Sequence, residues 1–237
     1  MSRRPPRHVA VPRARPGPPA GGEGEGVAPR SPRPEVPRWL GLGYAAFLAL
    51  WIPVYWRHNG LANFLWYCDF ANFAVGLALW RKSALLLSSQ AAGVLLLQLL
   101  WVVDFGTALL AGWHPIGGTE YMFDPQRPLL ARLLSLFHVW MPLLLVWGVR
   151  RLGYDRRAWK LQTLVIWILL PLSFLADPAR NLNWLHRVFG LEQTLMPPAL
   201  FLLLRMAIDP LLVVLPTHLL LRRLLPPPAP RPGGAGA

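Results

Sequence analysis

The chain has one cysteine in 237 residues, Cys68, which excludes an internal disulfide. Charge is scarce at 15% of residues, where a soluble domain of this length carries about a quarter. Acid is scarcer still, with 11 Asp and Glu against 24 Lys and Arg and a net charge of +13. No Walker loop, glycine-rich dinucleotide fingerprint or zinc spacing is present. His58, His114, His138, His186 and His218 are dispersed, with no pair at ligand spacing on one predicted helix. The expectation is therefore no metal and no cofactor. A basic balance can signal nucleic acid. Here the arginines cluster in a tail and between apolar runs, a pattern of membrane orientation, so no nucleic-acid partner is expected.

What is abundant is apolar sequence, 54% of the chain, gathered into blocks near the roughly 20 residues that cross a bilayer as a helix. The fold class expected is all-α, a polytopic membrane bundle of six transmembrane helices. The spans are predicted at 39–56, 61–80, 84–110, 129–149, 158–176 and 196–220. Residues 1–37, rich in Pro, Arg and Gly, cannot bury enough apolar surface to offset ordering entropy and read as a disordered cytoplasmic tail. Residues 38–224 form the membrane domain, and 225–237 read as a second disordered tail. Alternate connections divide the basic residues eighteen to four, with Arg57, Arg127, Arg180 and Arg187 alone on the poorer side. By the positive-inside rule both termini are cytoplasmic, and the chain is a multi-pass protein of the cell membrane.

Orientation turns position into depth. In the stretch LWYCDFANF, Cys68 lies seven residues into the second span, about 10 Å down at 1.5 Å per residue. Asp69 follows it, and spacings of three and four put Asn72 on the same face as Asp69 and Cys68. His138 lies about 13 Å down the fourth span, on a face with Arg132 and Ser135. Asp104 closes the outer end of the third span, with Arg132 as its candidate partner, and Arg205 and Asp209 sit four apart on the sixth. Gln90, Gln98 and Gln162 read as bonds between helices. Polar groups inside spans face the bundle interior or water, so their gathering in the outer half predicts one outward-opening polar cavity. The loops carrying His114 and, further on, Asn183 and His186 are its candidate lid.

A thiol beside an imidazole is a nucleophile with its base, because the imidazole stabilises the thiolate. Cys68 and His138 are the candidate pair, with Asp104 or Asp69 to orient the imidazole. Asn72, Arg132, Arg205, Asp209, Asn183 and His186 are candidate ligand-binding residues. At WYCDFANF, QLLWVVDF, YMFD, LSLFHVWMP and RRLGYDRRA the chain resembles a group of multi-pass bacterial membrane proteins. More remotely, Cys68 and the Phe137-His138 pair resemble the YwaF-like integral membrane family, mainly over 61–158. That resemblance implies a lipid acyltransferase or hydrolase with Cys68 as nucleophile and His138 as base. The family pattern has a histidine just before the cysteine, where this chain has Leu65, Trp66 and Tyr67.

Three functions follow as expectations. The first is a membrane-embedded enzyme of lipid acyl groups, with Arg132 or Arg205 holding a lipid phosphate. The second is a transporter or receptor for a small polar or anionic ligand. The third is a non-enzymatic assembly subunit. Membrane lipids are the expected partners in each.

Overall fold

The computed structural model describes residues 36–228 apart from Phe189. The tails expected before residue 36 and after residue 228 lie outside the described residues. The described chain is helical: α1 (Arg38–Asn59), α2 (Tyr67–Arg81), α3 (Ala84–Ala111), α4 (Leu129–Leu134), α5 (Phe137–Leu152), α6 (Ala158–Phe174), α7 (Pro198–Asp209) and α8 (Leu215–Leu224). One two-residue hairpin, β1 (Arg187–Val188) with β2 (Leu191–Glu192), interrupts the loop before α7. Four helical stretches are long and apolar enough to cross a membrane: Arg38–Asn59, Ala84–Ala111, Leu129–Leu152 and Pro198–Leu224. The remaining two, α2 and α6, are shorter, at 15 and 17 residues.

α3 is the axis of the bundle and packs against α2, α5, α6 and α8. Its composition permits this. Ser88, Ser89, Ala91, Ala92 and Gly93 are buried and small, so neighbouring backbones approach closely. Leu96, Leu99, Leu100, Val103, Leu109 and Leu110 of the same helix are exposed, while Gln90, Gln98 and Asp104 are buried. Polar groups inside and leucine outside is the distribution an apolar solvent demands. α1 turns a stripe of Tyr44, Trp51 and Tyr55 inward. Trp51 is fully buried against Tyr55, Phe64, Phe73 and Phe137.

Three predicted spans are broken. The second begins as a 3-10 turn, Leu61–Leu65, and Trp66 in extended backbone separates it from α2. Cys68 therefore lies in the first turn of a helix, not seven residues down one. The fourth breaks at Ser135 and Leu136, where Ser135 N bonds Arg132 O at 3.0 Å and Leu136 N bonds Leu133 O at 3.1 Å, three residues back. The sixth widens into a π turn over Pro210–Val214. Proline has no N–H, so Pro210 releases the carbonyl of Met206, four residues earlier. Trp167 of α6 donates its Nε1–H to that carbonyl at 2.9 Å. The kink thus becomes a contact between helices.

The expected C-terminal tail starts out attached. Leu225 N donates to Leu221 O, and Tyr154 N donates to Pro226 O at 2.7 Å. A Cβ at Gly153 would stand 2.5 Å from Pro228 backbone, so the α5–α6 connection needs glycine to seat this segment. In that connection burial, and then the charge of Asp155, raise the Tyr154 phenol well above its ordinary range, and its hydroxyl bonds His218 Nδ1 at 2.8 Å.

α3 and α6 are joined by a buried polar cluster. Ser89 Oγ and Gln90 Nε2 both donate to Gln162 Oε1, at 3.1 and 3.2 Å. Gly93 makes room for Gln162, whose Nε2 would lie 2.2 Å from a Cβ at that position. Gly93→Ala is expected to evict the Gln162 amide and destabilise the bundle by about 1–3 kcal/mol. Thermal unfolding in detergent checks this, with Gly93→Ala/Gln162→Ala recovering part of the loss. An unchanged midpoint in the single variant would refute the assignment.

Candidate functional site

Among the described residues no hydrogen bond joins the candidate catalytic pair. Cys68 is half-buried, and among the described residues its sulfur has no hydrogen-bond partner. Its carbonyl accepts from Asn72 Nδ2 at 3.3 Å. His138 is buried, with its ring stacked on Trp101 at 4.6 Å and 12°. Its Nδ1 lies 2.8 Å from the carbonyl of Ser135, a pure acceptor, so Nδ1 carries the proton and donates. That bond occupies the carbonyl three residues back at the α4–α5 break. A local rule, a polar side chain serving the backbone beside it, has taken the nitrogen an orienting acid would need.

The acids are occupied elsewhere. Asp69 accepts from Asn63 Nδ2, and Asn72 accepts from Tyr44 OH at 3.1 Å, tying α2 to α1. Asp104 pairs with neither Arg132 nor His138. Its Oδ1 accepts from the backbone N–H of Ile116 at 2.7 Å and Gly117 at 3.0 Å. Its Oδ2 accepts from Gly118 N at 3.2 Å and Thr119 Oγ1 at 2.6 Å, with His114 Nδ1 at 3.3 Å. One carboxylate at the end of α3 therefore organises the loop that follows, and Gly117 at φ +76° supplies the turn. Further along this loop, burial raises the phenol of Tyr121 above its ordinary range, and the hydroxyl accepts from Trp101 Nε1 at 3.2 Å.

The ligand-binding candidates are mostly internal ties. Arg205 forms the expected i,i+4 pair with Asp209, at 2.7 and 2.9 Å. It also donates to the carbonyl of Trp184 at 3.0 Å, and Tyr67 OH donates to Asp209 Oδ2 at 3.0 Å. Asn183, buried and at φ +50°, accepts from Tyr67 N and donates to Leu65 O and Ser173 Oγ, each within 3.0 Å. It fastens the start of α2 to the end of α6. Arg132 donates to Met122 O at 3.1 Å, and among the described residues its Nε has no partner. His186 stacks on Phe174, and its buried Nε2 has no partner among the described residues.

A polar cavity does exist at this end of the bundle, lined by other residues. It measures about 550 Å³ and sits where α1 ends, between the loops before α4 and after α6. Arg57, His58, Asn59, Asn63, Arg127 and Arg180 line it together with Gly60, Ala179 and Leu182. Arg127 donates to Asn59 Oδ1 at 3.0 Å, and Arg180 donates to the Asn59 carbonyl at 2.6 Å. Gly60, at φ +75°, leaves room for the Arg180 guanidinium, 3.1 Å from where a Cβ would stand. Among the described residues, none that lines it is acidic. Three of the four arginines on the basic-poor side of the chain thus converge. Their scarcity there was the available signal. The end of α1 and two loops distant in sequence bring them together, so spacing could not. Asn63 connects the cavity to the interior through its bond to Asp69.

Comparison with known proteins finds no matching family model, no matching curated protein and no matching solved structure. Function must come from the geometry. The Asp104 cradle predicts that Asp104→Asn leaves the helices folded and loosens residues 112–128. An amide offers one acceptor and a misplaced donor to a set of backbone N–H groups. Limited proteolysis should cut this loop several-fold faster in the variant; equal rates would remove the role.

Proposed function

We propose that this chain is a six-span membrane protein, with both ends in the cytoplasm, that binds a small oxyanion in an outward-facing basic vestibule. The observation that carries the reading is the convergence of Arg57, Arg127 and Arg180 on one cavity free of acidic lining residues. Like charges gathered without a counter-charge favour an anionic occupant. Guanidinium groups match carboxylate and phosphate geometry in particular. Recognition without covalent chemistry, as in a transporter or receptor, fits better than acyl transfer. A nucleophile must lie within hydrogen-bond reach of its base, and Cys68 has no bonded base. The short α2 and α6 complete six crossings if they tilt little and their ends draw in the interface.

The test is binding of phosphate and of succinate to the purified protein at constant ionic strength, with chloride as the reference. Both anions are expected to bind, and Arg127→Gln and Arg180→Gln each to weaken them about tenfold. A comparison of phosphatidylglycerol with phosphatidylcholine nanodiscs separates a lipid headgroup from a free anion. No response beyond that of chloride or phosphatidylcholine would remove the proposal. Topology is tested separately. In a Cys68→Ala background, Gln126→Cys should react with a membrane-impermeant maleimide on intact cells and Arg156→Cys should not.

A further inference from the structure

Among the described residues the α-helices carry three acids, Asp69, Asp104 and Asp209. Two of them are well compensated. Asp209 pairs with Arg205 and accepts from Tyr67. Asp104 accepts from three backbone N–H groups and from Thr119. Asp69 differs. It is 4% exposed, and among the described residues its carboxyl has one donor, the neutral Asn63 amide, and no cation paired with it. An unpaired charge is costly in apolar surroundings, so the counter-charge within reach of Asp69 is a proton.

Asp69 also adjoins the basic vestibule, by two routes. Its donor Asn63 lines that cavity. Tyr121 interacts with Asp69, and the guanidinium of Arg127, another lining residue, lies 5.4 Å from the Tyr121 ring centre. The other ionisable groups that act on or with Asp69 are Tyr55 of α1 and Cys68 beside it. None of these three is a cation. On the vestibule side stand Arg57, His58, Arg127 and Arg180.

An anion held by the arginines and an ionised Asp69 would be like charges separated by about one side chain. Each disfavours the other. Anion binding therefore favours the protonated carboxyl, and by reciprocity a proton on Asp69 strengthens anion binding. The Asn63 amide can follow the change. An ionised Asp69 only accepts, so Asn63 turns its NH2 toward it. A protonated Asp69 can donate to the Asn63 oxygen, which frees the NH2 as a donor.

We infer that oxyanion binding in the vestibule is coupled to uptake of a proton by Asp69. A proton-driven anion transporter requires that linkage and a simple receptor does not. The inference rests on the vestibule reading and adds the coupling to it. The proton comes from water, and the anion keeps its charge.

The experiment uses the full chain in phosphatidylcholine nanodiscs with sulfate, an anion that does not itself titrate near neutral pH. Sulfate is expected to bind about tenfold more tightly at ~pH 5.5 than at ~pH 8. Infrared difference spectra are expected to show a protonated carboxyl stretch appearing as sulfate binds, a signal to which His58 cannot contribute. Asp69→Asn, which keeps an acceptor for Asn63, is expected to bind sulfate without that signal. Sulfate binding by the unmodified protein with no carboxyl protonation overturns the inference, leaves the vestibule reading standing and needs no variant to fold. A carboxyl signal that survives Asp69→Asn overturns it as well. Absence of sulfate binding at both pH values removes the vestibule reading, and the inference with it.

Discussion

Every polar side chain carried into these helices has to find its partner inside the bundle, and that constraint shapes most of the structure. Apolar surroundings offer no hydrogen bonds, so an unpaired group costs more there than at a wet surface. The responses are visible element by element. Arg205 and Asp209 neutralise each other and then use their remaining capacity on Trp184 and Tyr67. Asn183 spends both ends of its amide joining α2 to α6. Trp167 takes up the carbonyl that Pro210 releases. Removing one member of such a set leaves the other stranded, which is why these contacts specify position as well as add stability.

The same constraint separates structural polar groups from candidate functional ones. Asp104 and His138 have the composition of catalytic residues, yet Asp104 binds the loop that follows α3 and His138 Nδ1 binds the Ser135 carbonyl. Among the described residues the accounting stays open at a few buried atoms, Arg132 Nε, His186 Nε2 and Gln90 Oε1 among them, and at two cavities. One holds arginines from the end of α1 and from two later loops, with no acid among its described lining residues; the other is lined by apolar side chains with Ser89 and Gln90. They differ in chemistry as they differ in position. The first is polar and cationic and suits a polar anion. The second is apolar. Nothing in either arrangement requires covalent chemistry at Cys68.

Much of the fold was readable from the apolar blocks. The limits of α1, α3 and α6 fall within a few residues of those expected from hydropathy. The Arg205–Asp209 pair was legible because both partners lie on one helix at a fixed spacing. The α3–α6 glutamines were legible as interhelical bonds because few other uses exist for them in such surroundings. The breaks were not. The extended Trp66 and the tightened turn at Ser135 arise from packing and from side chains bonding local carbonyls, and hydropathy averaged over a window is blind to both.

By itself, the sequence determined a helical chain with helices long and apolar enough to cross a membrane, a strong asymmetry of basic residues between its connections, and a handful of polar groups that had to be buried. Those are properties of composition and short-range spacing. Which polar groups share a site was decided only by the tertiary structure. Depth along a helix is one coordinate, whereas a site also needs rotation about each axis and the course of every loop. Arg57, Arg127 and Arg180 stand more than fifty residues apart from one to the next and meet; Cys68 and His138, matched in expected depth, form no bond.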